Sequence, residues 1–206
     1  RPAEALILSS PGVLMPFKDT LVVGQGAKMT GLDPLRGALR WETTVASPRG
    51  TNEVERLADL VGPAARVGDV ICARAFQSAV GCVNAERGST LWSRNAGGVI
   101  GVGADSEMVV GTDASDRITA WRATDGGVAW TIEKLLYRNL SAPLVAGKAF
   151  VMGDVDGMVH WFVRDTGEAV LRMPTDGSAI KTTPVASGLT LLVVTSGGGL
   201  FAFRPE

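Results

Sequence analysis

The chain has 206 residues, 46% of them hydrophobic and 20% charged, which marks a globular protein rather than a disordered one. Lys+Arg 20 against Asp+Glu 21 leaves a net charge of −1, so the basic surface that general nucleic-acid binding needs is missing. No apolar run reaches the roughly 18 residues of a transmembrane helix. One histidine, His160, and one tyrosine, Tyr137, supply little for acid–base catalysis or a histidine metal site.

In chain order, Ala5-Leu6-Ile7-Leu8 is the first strand-like run. Leu21-Val22-Val23-Gly24 then leads to Lys28-Met29-Thr30-Gly31-Leu32, a turn ending at Gly37, and Trp41. Segment 46–56 follows, carrying Arg49, Glu53, Glu55 and Arg56. It is long for a connection between short strands, and long loops on a rigid scaffold often bind partners. Val70-Ile71-Cys72-Ala73 leads to Ala79-Val80-Gly81-Cys82-Val83, Gly88 and Trp92. Met108-Val109-Val110-Gly111 leads to Arg117-Ile118-Thr119-Ala120-Trp121, Gly126 and Trp130. Ala142-Pro143-Leu144-Val145-Ala146 precedes Ala149-Phe150-Val151-Met152-Gly153, then Met158-Val159-His160-Trp161-Phe162, Gly167 and Leu171. Thr183-Pro184-Val185-Ala186, Leu191-Leu192-Val193-Val194 and Gly199-Leu200-Phe201-Ala202-Phe203 close the series. Nothing predicts a helix of three turns; segments 57–61 and 132–136 form single turns at most.

The series is a repeat. Gly-x-x-x-Trp recurs at Gly37–Trp41, Gly88–Trp92 and Gly126–Trp130, with Gly167–Leu171 as a fourth copy, and its anchors are spaced 51, 38 and 41 residues apart. Units of about 40 residues with four short antiparallel strands are propeller blades. The fold expected is therefore all-β, a propeller with blades at about 9–45, 57–96, 97–135, 137–174 and 178–206, and 46–56 as an insertion. One domain, 1–206, holds all of them. Each glycine allows the positive φ of its turn, and each trailing tryptophan is expected between blades. The last unit lacks its outer strand. Either Ala5-Leu6-Ile7-Leu8 closes a five-blade ring, or the chain is the C-terminal part of a larger one; the abrupt start favours the second.

Other motifs read as structure. Asp154-x-Asp156-Gly157 begins like a calcium loop but its twelfth position is Asp165 rather than Glu, so a hairpin turn accounts for it. The glycines at 98, 101, 103 and 197–199 precede no helix and so build no phosphate loop. His160 in a strand is expected to be a hydrogen-bonded structural histidine. Cys72 and Cys82 lie on adjacent hairpin strands, and buried free thiols are expected over a cross-strand bridge. No catalytic residue, metal ligand or cofactor is predicted.

Gly31-Leu32-Asp33-Pro34-Leu35-Arg36-Gly37-Ala38-Leu39-Arg40-Trp41 resembles the pyrroloquinoline-quinone-type propeller repeat. Gly50-Thr51-Asn52-Glu53-Val54-Glu55-Arg56-Leu57-Ala58-Asp59, Asp154-Val155-Asp156-Gly157-Met158-Val159-His160-Trp161 and Gly198-Gly199-Leu200-Phe201-Ala202-Phe203 resemble the BamB family. Those are propeller lipoproteins of the outer-membrane β-barrel assembly machinery. The resemblance implies an eight-bladed ring of which this chain is the C-terminal half, with the lipid-bearing cysteine in the other half. It implies the periplasmic face of the outer membrane of a Gram-negative bacterium, membrane contact only through that anchor, and a scaffold role without catalysis.

The partners it implies are the POTRA domains of BamA and, beyond them, nascent outer-membrane proteins. The family's binding surface has a Leu-x-Leu-Arg strand and an Asp-x-Asp. Leu6 and Leu8 match the first, with Ser9 in place of arginine; Asp59 matches the second, with Val61 in place of the second acid. The partner-binding residues expected are therefore Leu6, Leu8, Ser9, Glu53, Arg56 and Asp59; the two leucines fit a strand core equally well. The competing reading is a quinone-dependent dehydrogenase, whose propeller needs a Ca²⁺ site, a catalytic aspartate and usually adjacent cysteines. Here the two cysteines are ten apart. A WD-type hub is weaker still, because no Trp-Asp dipeptide occurs.

Overall fold

A computed structural model describes residues 11–47 and 58–204. Blade 1 has strands β1 (Leu14–Phe17), β2 (Thr20–Gln25), β3 (Lys28–Leu32) and β4 (Leu39–Thr44). Blade 2 has β5 (Leu60–Val67), β6 (Val70–Ala75), β7 (Ala79–Asn84) and β8 (Ser89–Asn95). Blade 3 has β9 (Gly103–Ala104), β10 (Met108–Thr112), β11 (Ile118–Arg122) and β12 (Val128–Ile132). Blade 4 has β13 (Leu144–Ala146), β14 (Ala149–Gly153), β15 (Met158–Val163) and β16 (Ala169–Pro174). Blade 5 has β17 (Val185–Ser187), β18 (Thr190–Val194) and β19 (Leu200–Phe203). Each blade is an antiparallel meander, four-stranded in the first four and three-stranded in the fifth.

The first strands β5, β9, β13 and β17 neighbour one another in succession, which puts them on the axis side. The core is accordingly divided into layers between blades. One cluster joins blades 1 and 2 through Val22, Met29, Ile71 and Val83. Another joins blades 2 and 3 through Val80, Trp92, Val109 and Trp121. Blades 3 and 4 meet through Ile118, Ile132, Phe150 and Phe162, and blades 4 and 5 through Val151, Val159, Ile180 and Val193. A single blade buries neither face by itself, so stability comes from stacking.

The recurring turn before each outer strand has one construction. Gly37, Gly88, Gly126 and Gly167 donate N–H to the carbonyls of Asp33, Asn84, Arg122 and Val163, four residues back, at 2.8–2.9 Å. All four glycines have φ between 63° and 71°, a region that costs an L side chain about 1–2 kcal/mol. The third and fourth strands slip register at the same place in each complete blade, next to Gly31, Cys82, Ala120 and Trp161. That bulge turns the outer strand so that its tryptophan faces the next blade. Trp92 donates its indole N–H to the Ala123 carbonyl at 2.8 Å, and Trp130 donates to Arg164 O at 2.9 Å. Trp130 also stacks on Phe150, centroids 5.3 Å apart.

Two sequence expectations are corrected. Cys72 and Cys82 form a disulfide rather than free thiols. The hairpin register sets them directly opposite, with Cα atoms 4.0 Å apart, the close spacing of a non-hydrogen-bonded antiparallel pair. Cysteine spacing alone leaves that register open. Leu60 and Val61 belong to strand β5 and not to a helical turn, because they pair with Ala75 and Arg74. Replacing both cysteines by alanine is expected to cost about 2–3 kcal/mol, the chain entropy of a closed loop this short. Urea unfolding with and without reductant checks this: the wild type alone is expected to shift on reduction.

Candidate functional site

The connections between blades and the hairpins joining second to third strands lie at one end of the blades. The backbone shows this directly: Leu60 N–H donates to Gly26 O, Phe76 N–H to Asp59 O, Gln77 N–H to Gly98 O and Ile180 N–H to Asp154 O, at 2.8–2.9 Å. Asp59 sits here, half-buried and immediately before β5. Of the predicted partner-binding residues, Asp59 is described, and Leu6, Leu8, Ser9, Glu53 and Arg56 lie outside the described residues.

Beneath Asp59 is a residue that the sequence reading passed over. Arg74, on β6, is 0% exposed. Its Nη1 donates to the carbonyls of Ala96 (2.7 Å) and Gly97 (3.0 Å), while Nε and Nη2 have no hydrogen-bond partner. Burial pulls the guanidinium down to about 10, and Asp113 opposes this only at a distance. The residue directly across the strand pair is Val61, itself 2% exposed. Opposed residues share one face of a sheet, so Val61 and Arg74 point together toward blade 3. Gly111 makes room for the cation, since a Cβ there would lie 2.8 Å from Nη2. The sequence signal was available: a lone charge inside the apolar run Ile71-Cys72-Ala73-Arg74-Ala75-Phe76.

A second polar cluster occupies the same end in blade 4. Asp154, 0% exposed, accepts the N–H groups of Asp156 (3.0 Å) and Met158 (2.9 Å) on Oδ1. Its Oδ2 accepts from Arg138 Nε at 2.7 Å and contacts His160 Nε2 at 2.8 Å. Burial alone would raise the Asp154 carboxyl; hydrogen bonds from His160, Met158 and Arg138 outweigh it and hold the group below the usual carboxylate range. Burial pushes the His160 imidazole below its ordinary value, and the Asp154 hydrogen bond resists without reversing this. A neutral imidazole facing an ionised carboxylate must donate, so Nε2 carries the proton. His160 thus holds the Asp154 hairpin in shape, and Arg138 ties that hairpin to the blade 3–4 connection and to Asp156 at 2.7 Å. Among the described residues no group of three or more His, Cys, Asp or Glu is arranged to hold a metal ion.

A family model described as "Outer membrane protein assembly factor BamB" matches residues 1–132. The chain belongs to the BamB family. The BamB of Burkholderia pseudomallei is 40% identical over 181 residues, 88% of this chain and 48% of the relative. That of Bordetella pertussis is 31% identical over 206 residues, 99% of this chain and 53% of the relative. The chain therefore spans about half the length of these BamB relatives. The crystal structure of BamB from Moraxella catarrhalis superposes with a TM-score of 0.87 over 96% of this chain and 59% of that one, at 21% identity. That likeness establishes the BamB propeller fold for the blades described above.

Proposed function

We propose that this chain is part of a non-catalytic scaffold subunit of the outer-membrane protein assembly complex. It binds the periplasmic POTRA domains of BamA and assists insertion of nascent outer-membrane proteins. It works at the periplasmic face of the outer membrane, anchored through a lipid on another part of the protein. The observation that carries this reading is the BamB family match over residues 1–132, which includes the insertion and Asp59. Two structural features support it. A cross-strand disulfide suits an oxidising compartment such as the periplasm. A stack of blades fixed by interblade tryptophans presents one end as a rigid platform for loops.

Binding proceeds through Leu6, Leu8 and Ser9, with Glu53, Arg56 and Asp59 beside them. Ser9 lacks the forked donors of arginine, so the leucines carry more of the contact. The test is calorimetric titration of the full-length protein with purified BamA POTRA domains. Saturable binding is expected, and Leu6→Glu with Leu8→Glu is expected to abolish it while leaving circular dichroism and the unfolding midpoint unchanged. Absence of binding by the folded wild type overturns the reading. Binding unaffected by the double substitution moves the interface away from that segment.

A further inference from the structure

Outer-strand side chains bridge two of the interblade junctions, while the junction of blades 3 and 4 is tied through Trp130 and Arg164 instead. Between blades 1 and 2, Thr90 Oγ1 donates to Thr44 O (2.8 Å) and Ser93 Oγ donates to Val45 O (2.7 Å). Between blades 2 and 3, Arg94 donates to the carbonyls of Gly126 (2.9 Å) and Asp125 (2.6 Å). Thr90 and Ser93 stand two and five residues after the turn glycine Gly88; the same positions after Gly167 hold Ala169 and Arg172. Alanine has no hydroxyl to repeat the bridge, and Arg172 is exposed and lines the gap. A cavity of ≈ 330 Å³ opens where the blade 3–4 connection meets blade 4, lined by Lys134, Leu135, His160, Phe162, Ala169 and Arg172.

Both flanking blades are complete, with four strands each, so the cavity does not come from a missing blade. Its floor is apolar and its rim is cationic. Lys134 and Arg172 are exposed, and neither makes an ion pair among the described residues. The nearby acids are already engaged: Glu133 with Arg117 at 2.8 Å, Asp154 with Arg138 and His160. At the cavity, Val170 is 65% exposed on the outermost strand β16, whose outer edge has no partner strand among the described residues.

We propose that this cavity docks an extended peptide segment carrying an aromatic side chain flanked by carboxylates. The ring enters against Leu135 and Phe162, and the carboxylates meet Lys134 and Arg172. The two unpaired cations select an acidic flank over a basic one, and the volume holds one aromatic side chain with its neighbouring backbone. The site is separate from Asp59 and does not depend on the BamA reading.

The test uses full-length protein and fluorescein-labelled peptides read by fluorescence polarisation. The probe is Ser-Asp-Phe-Asp-Ser; the controls replace phenylalanine by alanine or both aspartates by lysine. Saturable binding of the probe is expected, with each control weaker by about tenfold or more, the scale of one buried phenyl ring or of losing the charge match. Ala169→Trp fills the cavity from an exposed position and is expected to abolish binding without lowering the melting midpoint. Lys134→Ser with Arg172→Ser is expected to weaken binding and flatten its salt dependence. Failure of the probe to bind, equal affinity for the alanine control, or unchanged binding by Ala169→Trp overturns the proposal.

Discussion

Val61→Asp is expected to be tolerated within about 1 kcal/mol in the wild type, but to cost about 3–5 kcal/mol in an Arg74→Met background. The wild-type background is unusual. Val61 is buried, and a carboxylate placed in a buried strand position ordinarily leaves an uncompensated charge. Here the residue opposite is a fully buried guanidinium with two nitrogens, Nε and Nη2, unpartnered. A carboxylate at position 61 gains a charge-assisted hydrogen bond from a donor that has already borne its desolvation. Burial has already lowered the Arg74 guanidinium to about 10, so the wild-type fold carries that desolvation cost before any acid is introduced. Arg74→Met alone is expected to be nearly neutral. It removes the penalty and leaves the Ala96 and Gly97 carbonyls without their donor, at about 1–3 kcal/mol. With methionine at 74, the acid at 61 has no partner, and its burial cost appears in full. Urea unfolding of the four proteins in the cycle gives the coupling directly. A coupling near zero refutes the pairing.

Trp92→Ala is expected to lower the unfolding free energy by about 3–5 kcal/mol, as for any large aromatic truncated in a packed layer. Trp92 is 6% exposed and lies between blades 2 and 3. It covers Gly126, where a Cβ would fall 2.5 Å from its ring, and donates to Ala123 O. Both contacts are to the turn that starts blade 3's outer strand. Losing the ring therefore loosens a blade that is distant in sequence, and the effect is expected to reach hydrogen exchange in β12. Gly126→Ala approaches the same contact from the other side. Its φ of 68° is unfavourable for alanine and the methyl collides with the indole, for a combined loss of about 2–4 kcal/mol. The double variant is expected to lose less than the sum, because the collision disappears with the ring. Additive losses would place the two residues in independent roles. Trp41 over Gly88 and Trp130 near Gly167 repeat the arrangement, so neighbouring variants provide replicates.

The blades were legible because their signals are local. A five-residue turn closed by a positive-φ glycine, a bulge and a tryptophan at fixed offset all fall within one hairpin, so Gly37–Trp41, Gly88–Trp92 and Gly126–Trp130 carry them as spacing. The structural role of His160 was legible for a similar reason, since its partner Asp154 opens the same hairpin. The candidate site was legible only through family resemblance. Leucines in a strand and acids in a loop have no local feature that separates binding from packing or solvation.

What the sequence determined by itself is the repeat, the all-β class and the tryptophan between blades, each set by periodic positions along one strand or turn. Tertiary structure decided the rest. Strand register put Cys72 against Cys82 and Val61 against Arg74, and a one-residue slip would have separated both pairs. Blade stacking left Ala169 and Arg172 where another junction has the bridging hydroxyls of Thr90 and Ser93, and so opened a cavity between residues that no sequence interval connects. Pairing across strands and contact across blades depend on which segments meet, and that is a property of the stacked blades rather than of any stretch of chain.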